Sequence, residues 1–209
     1  MNDESTLLQQ IDEIKKQLQE EPENPQLLND LGVGYYLLGR FDEAIDELKK
    51  SVSADPENIS YKFNLANACA ESEQFDLAKN LYHDVIEKQP DHIPSFNNLA
   101  DCYEATGDDE KALNLFEYIT KIAPDNALAH FNLGNFHLRK NRHIKAAKCY
   151  EKAIELEESF TDAYFNLAWI LKQVKAWDEA LSFAERGLQT NPENDDLKKL
   201  AFQIRDEMG

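Results

Sequence analysis

Only three cysteines occur in 209 residues, at Cys69, Cys102 and Cys149. An odd number of widely spaced thiols fits neither a disulfide framework nor a zinc site. A reducing, cytosol-like compartment is the simplest home for such a chain, and a cytoplasmic location is expected. Basic residues are also short: 22 lysines and arginines stand against 40 acidic residues, a formal net charge of -18. A field of that sign repels nucleic acid and anionic membrane surfaces, and it favours neutral or basic partners. No apolar run approaches transmembrane length. The opening Met-Asn-Asp-Glu-Ser has no basic segment ahead of an apolar stretch, so neither a span nor a secretory signal is expected. There is no glycine-rich phosphate loop, no nucleophile elbow and no metal-ligand spacing. The carboxylates scatter as a solvated face would, and no acid–base pair stands out among them.

What the chain does have is a period. Leucine recurs at Leu31, Leu65, Leu99, Leu133 and Leu167, and alanine at Ala44, Ala78, Ala112, Ala146 and Ala180. Proline keeps the same 34-residue step at Pro22, Pro56, Pro90 and Pro124, lapses at Glu158 and resumes at Pro192. A fixed period of this length marks stacked supersecondary units. The windows are 25–58, 59–92, 93–126, 127–160 and 161–194, each with two helical patterns. The residue after each leucine is small (Gly32, Ala66, Ala100, Gly134, Ala168), as close helix pairing requires. Four residues after each of the first four alanines stand Leu48, Tyr82, Phe116 and Tyr150, which complete a packing stripe. Gly39, Gly107 and Asn141 mark the turn between the two helices. Glu73 and Lys175 hold that place in the second and fifth windows, so those turns are expected to be strained or different.

These features resemble the tetratricopeptide repeat over residues 25–194. The resemblance implies an all-α, right-handed superhelical α-solenoid of helix-turn-helix repeats with capping helices. Residues 1–24 read as an N-terminal capping helix, with Leu7, Leu8, Ile11, Ile14 and Leu18 on one face, and 195–209 as a C-terminal solvating helix. The fourth repeat departs most from the family, with His130 and His137 at packing columns and Glu158 in place of proline. His130, His137 and His143 form the one histidine cluster; the register places the first two in packing columns rather than at a metal, so no metal or cofactor is expected.

The resemblance also implies that the second, fifth, sixth, ninth, twelfth and thirteenth residues of each repeat line an inner groove. The sixth residues are Asp30, Asn64, Asn98, Asn132 and Asn166, although asparagine is only 17 of 209 residues. Asn67 and Asn135 follow one turn later. An amide offers both a donor and an acceptor, so such a column can pair with the backbone of an extended peptide. This is similar to the asparagine ladders of peptide-binding tetratricopeptide superhelices. Phe63, Phe131, Phe165 and Trp169 are candidate anchors for ligand side chains. The inward charges are Glu71, Asp101, Glu104 and Asp162 against Arg139 and Lys172. Co-chaperone repeats that hold a C-terminal carboxylate use a basic clamp. Phe63, Leu128 and Asn132 stand where its cations belong, so no chaperone-tail binding of that type is expected. The expectation is a non-catalytic adaptor that binds an extended protein segment in its groove. The alternative is a self-assembling scaffold that uses repeat ends or the convex face.

Overall fold

The computed structural model describes residues 2–208. Twelve α-helices and no strand occur among them: α1 (Asn2–Glu20), α2 (Pro25–Leu37), α3 (Phe41–Ala54), α4 (Ile59–Glu71), α5 (Phe75–Lys88), α6 (Ile93–Ala105), α7 (Asp109–Ile122), α8 (Ala127–Arg139), α9 (His143–Leu156), α10 (Thr161–Gln173), α11 (Trp177–Thr190) and α12 (Asp195–Met208). From α2 onward both helices of a pair start 34 residues after their counterparts. The chain divides into two compact units, one through Leu115 and one from Phe116.

The helix starts have local causes. Asn24, Asn58, Asn126 and Asn194 cap α2, α4, α8 and α12, each accepting backbone N–H groups through its side-chain oxygen. His92 does the same for α6 through Nδ1, 3.3 Å from the Ser95 N–H. Phe160 precedes α10 and makes no side-chain cap.

The turns inside the repeats have a single conformation. Gly39, Glu73, Gly107, Asn141 and Lys175 all have positive φ, between 55° and 82°. In each, the next N–H reaches back to close the preceding helix, as in Arg40 N to Tyr35 O at 2.9 Å and Gln74 N to Cys69 O at 2.8 Å. The expectation for Glu73 and Lys175 resolves toward strain. Their turns have the shape of the glycine turns, and the side chain carries the cost of the left-handed backbone.

The packing columns are buried as their chemistry demands. All five column alanines have no exposed surface, and the five column leucines are at most 9% exposed. A Cβ added to Gly134 would lie 2.7 Å from Tyr150 Cε1, so the aromatic ring sits where a side chain would otherwise be. At the ends, Ile11 on α1 and Leu197, Leu200, Ala201 and Ile204 on α12 are buried. Leu8, expected on the packing face of α1, is exposed; Leu7, Ile14 and Leu18 pack against the core of the first unit.

Candidate functional site

The first helices of the repeats place the asparagines. Asn64 and Asn67 lie on α4, Asn98 on α6, Asn132 and Asn135 on α8 and Asn166 on α10, all half-buried. Their amides pair between repeats. Asn64 Nδ2 donates to Asn29 Oδ1 at 2.8 Å, and Asn98 Nδ2 to Asn67 Oδ1 at 2.9 Å. In the second unit Asn166 Nδ2 donates to Asn135 Oδ1 at 3.2 Å.

A tyrosine completes two of these pairs. Tyr82 Oη donates to Asn67 Oδ1 at 2.8 Å, and Tyr150 Oη donates to Asn135 Oδ1 at 2.8 Å. The two triads, Tyr82–Asn67–Asn98 and Tyr150–Asn135–Asn166, are the same arrangement 68 residues apart. Both phenols are fully buried. Burial pushes their pKa values up, and the hydrogen bonds from Asn98 and Asn166 act in the opposite sense. They therefore stay neutral O–H donors at physiological pH.

The aromatic candidates have partners inside the protein. Phe63 packs against Tyr82 and edge-on against the cap residue His92, with centroids 6.1 and 4.9 Å away. Phe131 repeats this with Tyr150 and Phe160, at 5.6 and 4.7 Å. Phe165 and Trp169 pack against the buried cluster of α10–α12. All four rings are half-buried, so each shows an edge to solvent while the rest of the ring holds the repeat together.

The surroundings of the triads differ in charge. The first lines an open cavity of about 480 Å³ together with Tyr36, Glu71, Phe75 and Asp101. Burial raises the Tyr36 pKa, and the neighbouring Glu71 carboxylate adds to it. At the positions 68 residues on, the second unit has Arg139 for Glu71, His143 for Phe75 and Trp169 for Asp101. The His143 and Trp169 rings are 6.3 Å apart, and Lys172 on the same helix pairs with Glu207 at 2.8 Å.

The histidines are dispersed. His130 Nε2 lies 2.9 Å from the Pro124 carbonyl, His143 stands beside Trp169, and His137 is buried in the packing column. No group of three or more potential metal ligands occurs among the described residues. His137 Nδ1 and His143 Nδ1 are buried without a hydrogen-bond partner.

From sequence, Tyr82 and Tyr150 read only as packing residues, and Asn29 does not stand out as a ladder partner. A signal for the tyrosines is nonetheless present. The aromatic column carries a hydroxyl only in the second and fourth repeats, and those are the repeats whose ninth residue is asparagine.

Three family models match the chain. Two are described as tetratricopeptide repeat, over residues 25–58 and 63–127, and one as the middle TPR-like domain of cilia and flagella-associated protein 70, over residues 96–203. No curated protein matches the sequence. Among solved structures, a thermophilic tetratricopeptide-repeat protein from Thermus thermophilus is 21% identical with a TM-score of 0.64, over 87% of this chain and 98% of that one. The C-terminal part of a repeat-containing protein from Cytophaga hutchinsonii is 16% identical with a TM-score of 0.75, over 97% and 81%. YrrB, described as a repeat protein with an unusual peptide-binding site, is 14% identical with a TM-score of 0.59, over 92% and 97%. At these identities the structures speak for the fold alone, and the family models carry the assignment. Repeats of this kind are generally non-catalytic modules for protein–protein interaction, and with five helix pairs in one register and all three models in agreement, this chain belongs to the tetratricopeptide-repeat family.

Proposed function

We propose that this protein is a non-catalytic adaptor that holds an extended segment of a partner protein against the first helices of its repeats. Asn64, Asn67, Asn98, Asn132, Asn135 and Asn166 address the segment's backbone. The exposed edges of Phe63, Phe131, Phe165 and Trp169 meet its side chains. The observation that carries this reading is the cavity beside α4 and α6, where amides with spare hydrogen-bonding capacity face an open space. Asparagine is a poor helix former, so its repetition within first helices needs a reason beyond helix formation. YrrB, a repeat protein of this fold, has a peptide-binding site of its own. A net charge of -18 favours neutral or basic segments and disfavours nucleic acid and acidic membranes. No helix among the described residues is long and apolar enough to cross a membrane. A reducing cytoplasm suits three unpaired thiols, of which Cys102 and Cys149 are pushed up to about 11 by burial and so stay protonated.

The test is a peptide selection on the purified protein, followed by Asn98→Ala with Asn132→Ala. A tenfold or greater loss of affinity with the melting transition retained is the expected result. Unchanged affinity would sink the asparagine reading.

A further inference from the structure

The cavity beside the first triad is lined by carboxylates and rings that the triad itself does not need. The second triad, Tyr150–Asn135–Asn166, makes the same bonds with Arg139, Asn141 and Trp169 at the places of Glu71, Glu73 and Asp101. None of the three places keeps a carboxylate there, so the acidic residues of the first unit are not part of the framework. Like charges gathered on one wall repel each other unless a cation answers them. Neither Glu71 nor Glu73 has a side-chain ion pair or hydrogen bond among the described residues. The Tyr36 phenol on the same wall has its pKa raised by burial and then by the nearby Glu71 carboxylate.

The rings of the cavity also lack a partner that other rings of this chain have. Lys15 and Arg40 lie over Tyr35 at 5.4 and 4.6 Å, and Lys79 and Lys111 over Tyr103 at 5.5 and 5.0 Å. In the second unit Arg186 lies over both Tyr164 and Phe183, at 5.4 and 5.1 Å. Among the described residues no cation covers Tyr36, whose ring contact is Phe41 at 5.7 Å, and Phe75 meets neither a ring nor a cation. Half-buried rings beside exposed carboxylates suit a long side chain with an apolar stem and a cationic head. Arginine matches this better than lysine. Its flat guanidinium stacks on a ring face and still presents five N–H groups to carboxylates, whereas an ammonium is a strongly hydrated point charge. The second unit brings a guanidinium to its triad from within. Burial raises the Tyr150 pKa, and Asn166 and then Arg139 oppose it, while no cation acts on Tyr82.

We propose that the cavity of the first unit is a pocket for one arginine side chain of the bound segment. Tyr36 and Phe75 take the stem and a face of the guanidinium, and Glu71, Glu73 and Asp101 take its N–H groups. Asn67 and Asn98, on the same wall, meet the backbone that carries the arginine. The cavity volume of about 480 Å³ lies within the roughly 300–1,000 Å³ usual for ligand sites. The second unit, with its own arginine at the matching place, has no such requirement. This inference rests on the peptide-binding reading and adds to it a residue that the segment must carry.

The test uses three small probes, the N-acetyl N-methylamides of arginine, citrulline and lysine. Citrulline keeps the length and planarity of arginine without its charge. The side-chain amide signals of Asn67 and Asn98 are followed by NMR as each probe is titrated into the full chain. The wild type is expected to bind the arginine probe about fivefold more tightly than the citrulline probe, the scale of a charge contact at a partly exposed site. The lysine probe is expected to bind about twofold more weakly than arginine. In Glu71→Gln with Glu73→Gln, which keeps side-chain size, the arginine–citrulline ratio should fall to near one. In Phe75→Leu the arginine–lysine ratio should fall instead. The signals of Asn135 and Asn166 should stay in place and so report any general attraction to a chain of net charge -18. A ratio of one in the wild type, an unchanged ratio in the double glutamine variant, or equal movement at Asn135 and Asn166 would overturn the arginine pocket. Peptides selected on the protein without arginine would overturn it and leave the peptide-binding reading standing, whereas a selection that yields no binding peptide would overturn both.

Discussion

The two units share a framework and differ in what surrounds it. Tyr82–Asn67–Asn98 in the first and Tyr150–Asn135–Asn166 in the second have the same bonds, the same spacing and the same burial. Glu71, Phe75 and Asp101 beside the first become Arg139, His143 and Trp169 beside the second. Interior residues that hold an amide in place are constrained by close packing, where a misplaced atom costs kilocalories. Residues at the rim meet water and vary at little cost to the fold. On the proposed function, the shared framework would serve backbone recognition in both units, beside an acidic rim in the first and a basic and aromatic one in the second.

The largest effect tests whether the frameworks are equivalent. Tyr82→Ala and Tyr150→Ala should each destabilise by about 3–5 kcal/mol, the usual cost of deleting a buried aromatic ring. Urea denaturation of both variants checks this, and a large loss in one with little in the other would break the equivalence. Tyr82→Phe should cost only about 1 kcal/mol, because Asn67 keeps its bond from Asn98.

Next in size are the intra-repeat turns, where the first and second units carry the same strain. Glu73→Gly and Lys175→Gly should each stabilise by roughly 1 kcal/mol through relief of the left-handed backbone, offset in part by glycine's entropy. Gly107→Ala should cost a similar amount. Thermal melts would show it, and opposite signs for Glu73 and Lys175 would mean that the two turns differ after all.

The rims can be exchanged. Glu71→Arg should shift the preference at the Asn67–Asn98 amides from blocked arginine toward blocked glutamate by roughly two- to fivefold, the scale of an exposed charge contact. Arg139→Glu should do the reverse at Asn135–Asn166. If neither substitution changes the preference in an NMR titration, the rims have no selective role.

The smallest expected difference is in pH response. His137 is buried in the second unit, and its column holds Tyr35, Cys69 and Tyr103 in the first. Burial lowers its pKa, as do Lys145 and Arg142 nearby, while Glu117 opposes them. The native state therefore binds its proton less readily than the unfolded state does. The neutral ring's contribution is complete above the ordinary histidine value of about 6.5 and is lost as pH falls toward the lowered native value. Stability measured at pH 7.5 and 5.5 should fall less in His137→Leu than in the wild type; Leu171 already occupies that column.

Much of the fold was legible because repetition averages out local ambiguity. Leu31, Ala44 and Pro56 mean little alone, but in one 34-residue register they place the helix pairs. Glu73 and Lys175 were legible as exceptions and not as outcomes, since the register cannot say whether a turn will bend or endure strain. The aromatic candidates were harder. Phe63 and Phe131 sit in a groove column, yet each also packs on a tyrosine from its own second helix and on the last residue of its own repeat, just ahead of the next first helix. A column position specifies direction from the helix axis and not what a neighbouring loop lays across it.

The sequence by itself determined the helix pairs and the leucine and alanine columns they bury, because helical periodicity and a fixed repeat length leave one arrangement that buries those columns. It also determined the balance of charge and the recurrence of asparagine. Only the tertiary structure decided which amide partners which, because a hydrogen bond is satisfied or lost over tenths of an ångström. That geometry joins Asn67 to Tyr82 and Asn98, and Asn135 to Tyr150 and Asn166.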